Sequence, residues 1–212
     1  MKVIGLITDF IADIFRYIFN LTGSFGWSII IFSVLIKLVL YPLTAKQNKF
    51  AEEIKKIEPK RQEIEKKYAD RPEEKQRKLL ELYSEHKINP FIGCLPMLLQ
   101  LPILYGIFAI LRDPKKYLGL KAAIFYGVNL MNNDYGGLKI LLPVLSAATT
   151  YWQQKIIMPE EGSKQNTFLL IFFPVFIGIF TLKLPAGLGL YWVISNLLTI
   201  GQTYLTKKRT KA

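Results

Sequence analysis

Five stretches of 18 to 21 mainly apolar residues, at 26–43, 91–111, 138–157, 167–184 and 187–205, constrain this chain more than any other feature. At about 1.5 Å of helix rise per residue even the shortest reaches about 27 Å, enough to cross a hydrocarbon core. Several contain Pro and Gly, which membrane helices tolerate because neighbouring helices re-satisfy the freed backbone groups. Charge is concentrated between these blocks. With 51% hydrophobic residues and a net charge of +12, the chain is too apolar for an ordinary soluble domain, and its excess of cations suits a membrane surface better than a ribosome or RNA. Cys94 is the only cysteine, so an intramolecular disulfide or a cysteine metal cluster is excluded.

The patterning predicts an all-α polytopic membrane protein. Residues 1–22 read as an interfacial amphipathic helix: Asp9, Asp13, Arg16 and Asn20 share one face and Ile4, Ile7, Ile11, Ile14, Phe15 and Ile18 the other, with a buried packing helix or an irregular first span as alternatives. The charges interrupting this stretch, and the lack of a small-residue cleavage pattern, are unlike a secretory signal. Residues 23–43, 91–111, 138–157, 167–184 and 187–205 are the expected transmembrane helices. The connecting segments are 44–90, an extracytoplasmic loop at 112–137, a cytosolic loop at 158–166 and a basic cytosolic tail at 206–212. Placing 44–90, the 158–166 loop and the tail in the cytosol puts 19 of the 28 Lys and Arg there and eight on the other side, so the positive-inside bias sets the N-terminus outside and the C-terminus in the cytosol.

Within 44–90, Phe50, Ile54, Ile57, Ile64 and Tyr68 keep a heptad spacing, with Arg61 in the missing place. Asp70-Arg71-Pro72 ends that helix, and Leu79, Leu80 and Tyr83 begin a second apolar stripe before Asn89-Pro90. An antiparallel cytosolic hairpin follows, its charges either a solvated face or a docking surface.

Lys37 interrupts the first span, where an ammonium near mid-bilayer costs about 2.5 to 3.5 kcal/mol. It either snorkels to the cytosolic headgroups or faces a wet cavity. Candidate walls for such a cavity are Gln100 in the second span, Thr149, Thr150 and Gln153 in the third, and Ser195, Thr199 and Gln202 in the fifth. These last three continue back to Trp192 at helical spacing as a stripe on one face. Polar stripes also serve as helix-to-helix glue, but the shared cytosolic depth of Lys37, Gln153, Thr199 and Gln202 favours a cavity. No Asp or Glu occurs in any span, which argues against a proton pump or cation carrier. His86 lies in the charged hairpin with no metal or triad motif around it, and no glycine-rich phosphate loop precedes a helix.

Lys87-Ile88-Asn89-Pro90, Gly93-Cys94-Leu95-Pro96, Leu99-Gln100-Leu101-Pro102-Ile103 and Leu184-Pro185-Ala186-Gly187-Leu188-Gly189-Leu190-Tyr191-Trp192, with Ser195-Asn196, follow one another in an order that resembles the YidC/Oxa1/Alb3 insertases. The resemblance covers roughly residues 26–205. It implies a five-helix core with a hydrophilic groove open to cytosol and lipid but closed outside. It also implies insertion of newly made membrane proteins without nucleotide hydrolysis, enzymatic chemistry or cofactors, in a bacterial plasma membrane. Lys37 stands where the family carries a groove arginine, keeping the charge but losing the rigid fork that grips a carboxylate; Gln153 and Trp192 match groove-lining positions. The family's large extracytoplasmic domain and lipoprotein cysteine are expected to be missing here, and the tail after Leu205 is short. Nascent membrane proteins and the lipid bilayer are the expected partners, a ribosome and a Sec translocon further candidates, and no specific nucleic acid is expected. A small channel or transporter is the rival reading, opposed by the missing carboxylates and the lack of an internal repeat.

Overall fold

The computed structural model describes residues 2–89, 91–119, 123–132, 140–157 and 164–211. Pro90, most of the expected cytosolic loop and parts of the expected extracytoplasmic loop lie outside the described residues, as do the side chains of Lys207, Lys208, Arg209 and Lys211. In order, the elements are α1 (Lys2–Thr22), α2 (Phe25–Val39), α3 (Tyr41–Lys67), α4 (Pro72–Glu85), α5 (Phe91–Arg112), α6 (Pro114–Leu118), β1 (Ile124–Phe125), β2 (Val128–Asn129), α7 (Leu141–Ile157), α8 (Lys164–Thr181) and α9 (Ala186–Lys211). α9 packs against α2, α3, α5 and α7, while α8 packs mainly against α7. Gly178 of α8 lets the two backbones approach: a Cβ there would lie 3.1 Å from the Ala147 Cβ and 3.3 Å from the Pro143 carbonyl.

The first long apolar stretch is bent rather than one straight helix. The apolar helix ends at Val39, and α3 leaves it at 64° around Leu40. Pro42 has no N–H with which to continue the ladder, so α2 ends and α3 starts with Pro in its first turn. Among the described residues no single helix is long and apolar enough to cross a membrane; the bent α2–α3 pair meets that test together. Internal polar residues are one reason: Thr149, Thr150, Gln153 and Gln154 in α7, and Ser195, Asn196, Thr199 and Gln202 in α9, lower the mean hydropathy of helices whose outer faces are apolar.

α1 divides its apolar residues between two surfaces. Its polar arc is exposed, while Ile11, Ala12, Phe15 and Ile18 are buried in protein, against α2 and α5. Leu6, Phe10, Tyr17 and Leu21 form a separate exposed apolar row, because the helix's apolar arc is wide enough to serve two surfaces. Phe15 packs at a tilt against Phe25 and Phe32, with ring-centroid distances of 5.1 and 5.9 Å. This cluster, with Ile29, Ile107, Ile110, Leu111, Leu188 and Tyr191, forms the main core near the start of α2 and the end of α5.

α3 and α4 pair through buried Ile57 and Leu82, with Ile88 beneath them and Phe50, Ile54, Ile64 and Tyr83 alongside. The heptad gap is filled by charge: Glu58, only 4% exposed, accepts a bond from Arg61 Nη2 at 3.0 Å. Burial opposes the Arg61 charge, but Glu58, Tyr83 and Glu65 outweigh it and hold the guanidinium pKa above its usual value. The hairpin is not free at its base, as its apolar stripes alone imply. Thr203 Oγ1 donates to Asn48 Oδ1 at 3.3 Å, and Lys55 Nζ donates to the Ile156 carbonyl at 3.3 Å, so the root of α3 is tied to α9 and to the end of α7. The Ile156 carbonyl belongs to the last turn of α7.

Candidate functional site

α9 carries the polar groups that join the bundle. Toward the main core, Gln100 Nε2 donates to the Tyr191 hydroxyl at 2.6 Å, and the Ser195 side chain bonds the same hydroxyl. Toward α7, Trp192 Nε1 donates to Thr150 Oγ1 at 3.0 Å, and Asn196 Nδ2 donates to Thr149 Oγ1 at 3.1 Å and Thr150 Oγ1 at 2.9 Å. Toward α2, Gln202 Nε2 donates to the Lys37 carbonyl at 2.8 Å. That carbonyl lies in the last turn of α2, so Gln202 relieves a helix end that the break at Leu40 leaves short of donors.

These residues are brought together around one helix, although the stripe on α9 does not present a single uniform face. Trp192 turns to α7 and Gln202 to α2. Ser195 and Thr199 are buried between, and Thr199 bonds back to the Ser195 carbonyl at 2.9 Å. Thr149 is buried and also donates to the Leu145 carbonyl at 2.7 Å. Gln153 is half-buried on α7. Lys37 is half-buried one turn before the break, and among the described residues its ammonium has no ion-pair or hydrogen-bond partner. Buried polar atoms without a partner occur along the same helices: Ser146 Oγ, Gln154 Oε1, Gln202 Oε1 and Asn48 Nδ2. Each such atom costs about 1 to 3 kcal/mol if it stays dry.

Sequence reasoning missed Asn196 and Asn48 as site residues. Asn196 is seven residues from Thr203, on the same face of α9, which is the signal that could have found it. Asn48 is masked by the surrounding Lys and Gln of a segment that reads as solvated. Replacing Asn196 by Leu is expected to lower stability by about 1 to 3 kcal/mol, from two lost interhelical bonds each worth about 0.6 and at most about 1.7 kcal/mol. Thermal unfolding of the purified protein in detergent measures this; an unchanged midpoint would show that the α7–α9 contact stands on packing alone.

The arrangement supplies hydrogen-bond donors and acceptors and one cation. Among the described residues no group of three His, Cys, Asp or Glu side chains is placed to hold a metal. In the main core the α2 hydroxyls of Ser28 and Ser33 bond carbonyls one turn back, and Ser28 Oγ also meets Thr22 Oγ1 of α1 at 3.0 Å.

Residues 17–212 match the family described as 60Kd inner membrane protein. The chain is 36% identical to the membrane protein insertase YidC of Fusobacterium nucleatum over 209 residues, covering 98% of each chain. It is 29% identical to the membrane protein insertase YidC of Helicobacter pylori, covering 96% of this chain but 37% of that longer protein. The crystal structure of an active YidC insertase with its first transmembrane domain resolved superposes with a TM-score of 0.72 at 28% identity, over 96% of this chain and 46% of that one.

Proposed function

Since the chain belongs to the YidC/Oxa1/Alb3 family of membrane protein insertases, we propose that it inserts new membrane proteins through a polar groove bounded by α2, α5, α7 and α9. In this reading α2, α5, α7, α8 and α9 span the membrane, with the N-terminus outside and α3, α4 and the C-terminus in the cytosol. The groove opens toward the root of α3 and into lipid, and the core around Phe15, Phe32 and Leu111 closes its outer end.

The observation that carries this reading is Lys37: a cation on an otherwise apolar helix, half-buried beside the polar seam and without a counter-charge among the described residues. A polar segment of the client enters water held by the seam and so avoids full desolvation. Lys37 attracts acidic residues of that segment, while the adjoining apolar segment leaves past α7 and α9 into lipid, driven by burial of about twenty apolar residues. The unpaired Gln154, Gln202 and Asn48 atoms support a wet interior, because water satisfies buried polar groups that protein leaves open. The α3–α4 hairpin receives the client. No step calls for a nucleotide, a cofactor or covalent chemistry, and a ribosome and a Sec translocon are candidate partners.

Purified protein in liposomes is expected to insert a short single-span client while leaving an ion gradient intact. Ion flux without insertion would replace this reading with a channel.

A further inference from the structure

We propose that the β1–β2 turn and the neighbouring start of α2 form a lipid-docking finger, which seats the end of the bundle remote from the α3–α4 hairpin at the headgroup boundary of an anionic bilayer leaflet. The two strands pair antiparallel, Ile124 opposite Asn129 and Phe125 opposite Val128, around the two-residue turn Tyr126-Gly127. Both turn residues have left-handed backbones, with φ of 48° and 80°, a geometry that favours Asn-Gly and strains a tyrosine. Burial does not account for the tyrosine: its ring meets Phe125 edge-on at 4.6 Å, yet Tyr126 is 81% exposed and Ile124, on the same side of the ribbon, is 71% exposed. Strain held at a bulky exposed residue points to a use for it.

The finger is fixed from beneath. Ala123 and Val128 are buried in the main core, Leu130 N donates to the Ala123 carbonyl at 2.9 Å, and the Leu130 carbonyl accepts from Gly187 N at 2.8 Å. The Phe125 ring lies so close over Gly26 that a Cβ there would collide with it. It also meets Trp27 edge-on at 6.2 Å, and Trp27 is itself exposed. Tyr and Trp side chains with an apolar body and a polar tip suit the membrane–water boundary. Exposed Arg112, Lys115 and Lys116 lie just before the finger in the chain. α6 is in turn joined to α1, with its exposed apolar row, by Arg16 Nε donating to the Tyr117 carbonyl at 3.0 Å. Cations beside an apolar surface select anionic headgroups.

The inference rests on the bundle lying in a bilayer, not on the groove. The test uses the full chain with Cys94→Ala in vesicles of phosphatidylethanolamine and phosphatidylglycerol, spin-labelled singly after Ile124→Cys, Tyr126→Cys, Phe176→Cys or Gln76→Cys. Labels at 124 and 126 should prefer oxygen over a water-soluble nickel chelate several-fold more than the label at 76, and the preference should fall when phosphatidylglycerol is replaced by phosphatidylcholine. A lipid-like label at 176 with water-like labels at 124 and 126 would overturn the finger alone. A water-like label at 176 would overturn the bilayer placement and the finger together, and no dependence on phosphatidylglycerol would overturn the anionic preference.

Discussion

Lys37→Ala is expected to lose more than tenfold in insertion rate for clients with acidic translocated tails, Lys37→Arg to retain most of it, and Lys37→Glu to be worst. Unit charges several ångströms apart in a medium of intermediate dielectric interact by about 2 to 4 kcal/mol, enough for that change. The structure makes the substitution a clean probe of charge. Gln202 holds the Lys37 backbone carbonyl rather than the ammonium, so alanine leaves the tie between α2 and α9 in place. Salt should screen only part of the effect, because the partners are partly buried. Insertion is measured for the three variants at equal protein levels, with acidic and neutral tails side by side. If Lys37→Ala inserts both clients as well as the parent, the charge is a snorkelling one and plays no part in the groove.

Removing residues 58–82 and bridging the gap with a short flexible linker is expected to leave a folded bundle that handles clients poorly. Ile57 and Leu82 belong to a satellite cluster separate from the main core, so their separation costs the hairpin and not the bundle. The cut retains Asn48 and Lys55, which tie the root of α3 to α9 and α7. Accumulation and thermal unfolding should stay near those of the parent, while client insertion falls several-fold. A shortened protein that fails to accumulate would make the hairpin a structural clamp. A further Lys55→Ala substitution should then loosen the end of α7, since the Ile156 carbonyl loses its lysine donor.

The long helices were legible in the sequence because each rests on a strong local pattern, whereas the five-residue α6 lay unread within the expected 112–137 loop. The heptad of Phe50, Ile54, Ile57 and Ile64 and the Asp70-Arg71-Pro72 break led directly to α3 and α4, and Arg61 proved to be held by Glu58. The break at Leu40 was missed although Pro42 was in view, because apolar composition continues across it and says nothing of direction. α1 shows the limit of reading one face: the Asp9 to Asn20 arc was evident, yet which part of the apolar arc meets protein depends on where α5 lies. The seam was legible as residue types, since Gln100, Trp192 and Gln202 all stand at α9 contacts, but the partner of each required the helix neighbours. Asn196 could be placed on a face of α9 by its spacing from Thr203, but its two threonine acceptors on α7 could not be read for that reason. Tyr126-Gly127 carries no conventional turn signal, so the β-turn escaped notice.

Photocrosslinking from single positions tests the groove most directly. A photoreactive residue placed at Gln153 or Gln202, on the seam, and at Phe172 or Ile179, on the exposed face of α8, is presented with a stalled single-span client in liposomes. The expected result is crosslinking of the client's polar flank from Gln153 and Gln202, and little from Phe172 or Ile179. Crosslinks of that flank confined to α8, with none from the two glutamine positions, would contradict the groove.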